Sequence, residues 1–182
     1  LLPSDAAGEW GLALRFQNIE AGVTEQIARL QAIAQPYALT CQVLSATDAT
    51  EAQFWQALSA QLFPEDKATW AIAKVGVLPA SAVDFLQFLQ HNLTPDTWQA
   101  RIHAASGIGI LKLKAEQNSV EQLQTVRSRC QAASGYLNLL TAPAAWKQTF
   151  DPWGIDTQTQ QLMKRLQAQF NPHQRLSPAR LG

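Results

Sequence analysis

Side chains able to do chemistry are sparse in this chain and are not clustered. Of 182 residues, three are histidines (His91, His103 and His173) and two are cysteines (Cys41 and Cys130). None of the histidines has an i, i+4 or His-x-His relation to another ligand-type residue, so the spacing of a metal site is missing. His91 reads as a solvated or capping side chain near a helix end. His103 is better placed, on the outward-alternating face of the Trp98 to Ala104 segment, where an imidazole beside the Gly107 turn either faces solvent or lines a binding pocket. The cysteines form no Cys-x-x-Cys pair and read as two buried packing thiols, in keeping with a reducing, cytoplasmic setting. Gly107-Ile108-Gly109 is followed by strand-like residues, whereas a phosphate cradle needs a helix N-terminus there. There is no Gly-x-Ser-x-Gly elbow and no convincing acid/base pair of carboxylates.

Bulk composition narrows the classes further. Lys and Arg number 14, as do Asp and Glu, and no basic run interleaves with aromatics, which argues against nucleic acid as a partner. The longest apolar stretches, such as Trp70 to Pro79, fall far short of the roughly 20 residues that a bilayer span requires. With 47% hydrophobic and 15% charged residues, the chain should fold around its own core without a disulfide or metal staple. Leu1 stands where an initiator would, which reads as part of a longer polypeptide cut near a domain boundary.

The elements that must position these residues follow from periodicity. Trp10, Leu12, Leu14 and Phe16 alternate as in a strand, and Val23, Ile27, Leu30 and Ile33 then recur at helical spacing until Pro36. A second strand fits 37–44, and a helix fits 51–62, stopped by Phe63-Pro64. Residues 69–78 predict an apolar strand, and Pro79 to Ser81 opens a helix. Trp98 to Ala104 and Ile108 to Lys114 read as a hairpin about Ser106-Gly107. Ser119 opens another helix, which Ser134-Gly135 closes; Tyr136 to Thr141 is the last strand. After a loop over 142–154, a helix over 157–170 puts Leu162, Met163, Leu166 and Phe170 on its inner face, and a tail follows.

This order predicts an α+β fold: an antiparallel sheet with helices on one face, as a ferredoxin-like unit or two such units fused, with a C-terminal helix and an extended tail. Most of the six tryptophans read as core. Glutamine, rather than charge, coats the helices, either as compositional drift or because a neighbour covers that surface.

One resemblance stands beside this reading. The stretch from Leu162 to Leu181, with Phe170-Asn171-Pro172 followed by Ser177-Pro178-Ala179-Arg180, resembles the closing motif of FAD-linked oxidases of the vanillyl-alcohol oxidase type. Leu12 to Phe16 with Glu20 to Val23, the Phe54-Trp55 pair and Ala133 to Tyr136 resemble further segments of that family, specifically of the glycolate oxidase FAD-binding subunits. Asn171, Gln174, Ser177 and Ala179 depart from the family's usual residues.

The resemblance implies a division in which 1–9 is an arm from an N-terminal FAD-binding domain, 10–150 a ferredoxin-like cap over the substrate side of the flavin, and 151–182 a helix and tail returning to the FAD domain. It implies FAD, held mainly by that other domain, with Ser177 and Arg180 as flavin-side contacts and His103 and Arg101 as pocket residues. It further implies a small 2-hydroxy-acid substrate of the glycolate type, a second FAD-containing subunit and an iron-sulfur subunit as partners, and an isolated fragment without activity. A competing reading is a non-catalytic scaffold in a multi-subunit dehydrogenase. An RNA-recognition-like module shares the βαβ pattern, but the sequence assigns neither aromatic nor basic residues to the relevant strands.

Overall fold

The computed structural model describes residues 10–44, 49–64, 66, 68–171 and 173. Its centre is a strand that must serve two faces. In β1 (Trp70–Gly76), Ala71, Ala73 and Val75 alternate with Trp70, Ile72 and Lys74, so one face is small and apolar and the other is mixed. Around β1 the chain builds α3 (Ala82–Asn92), the hairpin β2 (Trp98–Ile102) and β3 (Ile108–Lys114), then α4 (Val120–Ala132) and β4 (Tyr136–Thr141). It is preceded by α1 (Glu20–Ala34) and α2 (Thr50–Leu62), and followed by α5 (Ala144–Thr149) and α6 (Thr157–Phe170).

The sheet order is β2-β3-β1-β4 with every neighbour antiparallel. A β-α-β-β-α-β path through that order is the ferredoxin-like arrangement expected from the sequence. The helices α3 and α4 cover one face, where Phe85, Leu89, Leu123, Val126 and Cys130 meet Ala73, Val75, Leu111, Leu113 and Leu137. At roughly 1.5–3 kcal/mol for each fully buried aliphatic or aromatic side chain, this cluster is the dominant stabilising term of the unit.

Local chemistry sets the ends of these elements. The Ser119 side chain accepts from Gln122 N at 3.2 Å while Ser119 N donates to Gln122 Oε1 at 2.8 Å, a reciprocal cap that starts α4. At the other end the left-handed residue is Ser134 (φ 57°), not Gly135. Gly135 is demanded by packing, since a Cβ there would stand 2.1 Å from Gly76 O. In the hairpin turn, Gly107 has φ +69°, and a Cβ would stand 1.8 Å from Val77 O, so glycine is required on both counts.

Several sequence expectations are corrected. Residues 10–16 and 37–44 form no strand: alternation gives a segment two faces, but a ladder needs a partner, and neither segment has one among the described residues. Trp10 and Leu12 remain 42% and 62% exposed, and Ala38 turns the chain at φ 53°. The described residues therefore hold one ferredoxin-like unit. The expected loop over 142–154 contains α5, which brings Trp146 and Phe150 into the core. Trp146 is the one tryptophan buried among those described. On α6 the apolar stripe Leu162, Met163, Leu166 and Phe170 is exposed rather than packed. Cys41 is exposed; only Cys130 is buried, and burial pushes its thiol up to about 12, which makes it inert.

Arg127 ties the loop after α5 to the sheet. Only 3% exposed, it donates from Nε to Leu137 O (3.2 Å) and from Nη2 to Asp151 O (2.6 Å), with its guanidinium 3.8 Å from the Phe150 ring centroid. The Asp151 carboxylate in turn accepts from Trp153 N and Gly154 N. Arg127→Ala leaves two inward carbonyls without this donor and a ring without its stacked plane, and should cost about 3 kcal/mol. Urea unfolding followed by circular dichroism measures this as a lowered midpoint; an unchanged midpoint would show that the loop does not depend on the arginine.

Candidate functional site

The sheet face opposite α3 and α4 gathers the polar side chains of all four strands. Register arranges them in cross-strand rows. One row runs Asn138, Lys74, Ile110 and Arg101, because Lys74 pairs with both Asn138 and Ile110, and Ile110 pairs with Arg101. The next runs Thr141, Ile72, Lys112 and Gln99, and beyond it Trp70 pairs with Lys114. On the other side Tyr136 pairs with Gly76 and Gly76 with Ile108, and His103 N donates to Ile108 O at 2.8 Å. The face thus carries four cations, Lys74, Arg101, Lys112 and Lys114, and no carboxylate among the described residues.

Half of this face is covered. The end of α2 reaches it, and Lys112 Nζ donates to Gln61 O, one of the last carbonyls of that helix. The ammonium also lies 4.1 Å from the Trp70 ring centroid, with Lys114 Nζ at 5.8 Å. A positive charge on the C-terminal end of a helix complements the helix dipole. Phe63 and Pro64, just past α2, enclose a shallow apolar cavity of about 370 Å³ with Ile72, Leu140 and Thr141. A bulge in β4 between the pairs Ile72–Thr141 and Ala73–Leu139 brings both Leu140 and Thr141 to that cavity. Arg15 Nε, 2.7 Å from Glu51 Oε1, ties the preceding segment to α2.

The other half is open. Lys74, Arg101, Ile108, His103 and Tyr136 are all exposed. The Tyr136 ring lies across Gly76, where a Cβ would stand 2.2 Å from Tyr136 Cε1. His103 Nδ1 sits 3.1 Å from Ser106 Oγ, which holds the imidazole at the β2–β3 turn. Neither Lys74 nor Arg101 has a carboxylate within ion-pair distance among the described residues. Such a surface attracts and orients a small anion.

The structure brings two of the four sequence candidates to this face. Arg101 lies in the central row, and His103 extends the neighbouring one. Ser177 and Arg180 lie outside the described residues. Lys74, Asn138 and Tyr136 were not singled out from the sequence, although Lys74 inside an otherwise apolar strand was the available signal: at period 2 it must point away from Ala73 and Val75. The expectation that these strands lack basic and aromatic residues is likewise corrected, because the register collects on one face cations that are scattered along the sequence.

Burial first, and then the neighbouring Lys114 charge, push the Lys112 ammonium below the ordinary lysine value of 10.5. The unfolded chain then binds more protons than the folded one between those two values, so stability rises with pH across that alkaline window. Denaturant titration over the window should show the rise in the native chain and its loss in Lys112→Met. A flat native profile would place the ammonium in ordinary solvent. No protein-family model, no curated protein and no solved structure matches this chain.

Proposed function

We propose that this chain is the substrate-side cap of an FAD-dependent 2-hydroxy-acid oxidoreductase of the glycolate type, with its open sheet half turned toward the flavin held by another domain. The observation that supports this best is the exposed cationic row, Lys74 and Arg101, on the open half of that face of a ferredoxin-like unit. A 2-hydroxy acid is an anion, and a cap that excludes water while presenting unpaired cations orients its carboxylate at low cost in reorganisation.

The described residues suit covering such a site rather than holding the cofactor. They include no glycine-rich loop at a helix N-terminus for a pyrophosphate. When bound, the flavin supplies the hydride acceptor. In this chain one of the two cations, Lys74 or Arg101, binds the carboxylate, Asn138 stands next to Lys74 as a hydrogen-bonding amide, Tyr136 walls one side, and His103 is the exposed imidazole at the rim. Ser177 and Arg180 are the flavin-side contacts of this reading, which also includes a second FAD-containing subunit, an iron-sulfur subunit and a cytoplasmic setting. No helix among the described residues is long and apolar enough to cross a membrane.

A second reading, a non-catalytic scaffold within such an enzyme, draws on the exposed apolar side chains of α6 and of residues 10–43. One experiment separates them. The whole polypeptide that carries this chain is purified and mixed with glycolate under anaerobic conditions, and its flavin absorbance is followed. The cap reading expects a yellow protein whose flavin bleaches, while residues 1–182 alone remain colourless and inactive. Flavin that stays oxidised while the complete complex turns over establishes the scaffold instead, and a yellow isolated chain defeats the domain assignment.

A further inference from the structure

The two free cations of the open face are not adjacent. Lys74 on β1 and Arg101 on β2 share a cross-strand row with Ile110 of β3 between them. Neighbouring strands lie about 4.8 Å apart, so the two Cα atoms are roughly 9.6 Å apart. The floor between the cations is therefore the aliphatic side chain of Ile110, with Ile108 in the next row. Beyond Lys74 on the same row stands Asn138. The guanidinium of Arg101 presents a planar fork that matches a carboxylate, while Lys74 presents a compact point charge.

A two-carbon hydroxy acid has one carboxylate. It satisfies one of these cations, leaves the other unpaired and has no methylene to place on Ile110. A ligand with a carboxylate at each end of a short aliphatic spacer can satisfy both, because side chains as long as those of lysine and arginine are able to span the roughly 9.6 Å between the two Cα atoms. We infer that the face recognises a short aliphatic dicarboxylate, one carboxylate on Lys74 beside Asn138 and the other on Arg101, with the spacer on Ile110. The inference rests on the cap reading for what is then done to the ligand, but not for the binding itself.

The test is a titration of the 182-residue chain, followed by amide chemical shifts at constant ionic strength. The probes are malate and 2-hydroxyglutarate against glycolate and lactate. The diacids should bind at least tenfold more tightly than the mono-acids, with the largest shifts at Lys74, Ile110, Arg101 and Asn138. Lys74→Met and Arg101→Met, both at exposed positions, should each reduce diacid affinity to the mono-acid level, and Arg101→Lys should restore part of it. Unperturbed amides across α3 and α4 confirm that each variant is folded.

Equal affinities for diacids and mono-acids would overturn the inference, as would shifts centred elsewhere or no saturable binding of any acid. Tighter binding of a single-stranded oligonucleotide than of either diacid would also overturn it, and would assign the face to a polyanion. Failure here is distinct from failure of the cap reading. Glycolate bleaching of the whole flavoprotein can stand while diacid preference fails, and diacid preference can stand while the flavin remains oxidised.

Discussion

The placing of β1 between β3 and β4 is the constraint on which the rest of the structure depends. Its two faces have different chemistry, and both are used. Ala71, Ala73 and Val75 are small enough for α3 and α4 to pack closely over them, while Trp70, Ile72 and Lys74 face the opposite side. A slip of one residue would turn Lys74 into the apolar core and bring the tryptophan with it, at a cost of several kcal/mol for an unpaired buried charge. Because β1 pairs on both sides, the slip would also have to be accepted by β3 and β4 together. The packing that makes the core is thus what fixes Lys74 in line with Arg101 and Asn138.

Chemically similar side chains on this face have different fates, and the neighbours decide which. Lys112 and Lys74 occupy adjacent rows of the same face. Lys112 is 5% exposed beneath the end of α2, held by a helix carbonyl and an indole ring, and its charge serves to seat that helix. Lys74 is exposed, and among the described residues no carboxylate pairs with it. Arg127 and Arg101 repeat the contrast. Arg127 spends its donors on the carbonyls of Leu137 and Asp151, whereas Arg101 points from an outer strand with none of those partners. Counting bases in the sequence could not separate these roles, because the distinction lies in which element passes overhead.

Much of the unit from Trp70 to Thr141 was legible from sequence, for a physical reason: its strands and helices alternate, its turn has an obligatory glycine, and its α4 cap is local. Residues 10–16 and 37–44 were less legible. Their alternation is as clear as that of β1, yet among the described residues no strand pairs with them, so the pattern gave the segment's faces but not its partner. The helix α6 shows the same limit. Its apolar stripe was read correctly from spacing, but its position on the surface, with Phe170 77% exposed, depends on tertiary contacts that a period of 3.6 does not specify. Of the candidate site, Arg101 and His103 were legible because they sit in a hairpin whose outward face is set by Trp98, Ala100 and Ile102. Lys74 and Asn138 join them only through non-local pairing, which becomes visible once the strand order is known.

The neutrality of the chain as a whole makes the open face more informative, not less. With acids and bases equal in number, the mean field at long range is weak, and net charge gives no long-range attraction to a polyanion. What remains is a local field from two exposed cations, unpaired among the described residues and separated by an apolar floor. A field of that kind decays within about a Debye length of 8–10 Å in physiological salt, so it acts on a ligand already at the surface rather than on one approaching from afar. Such a field is stronger wherever screening water is excluded.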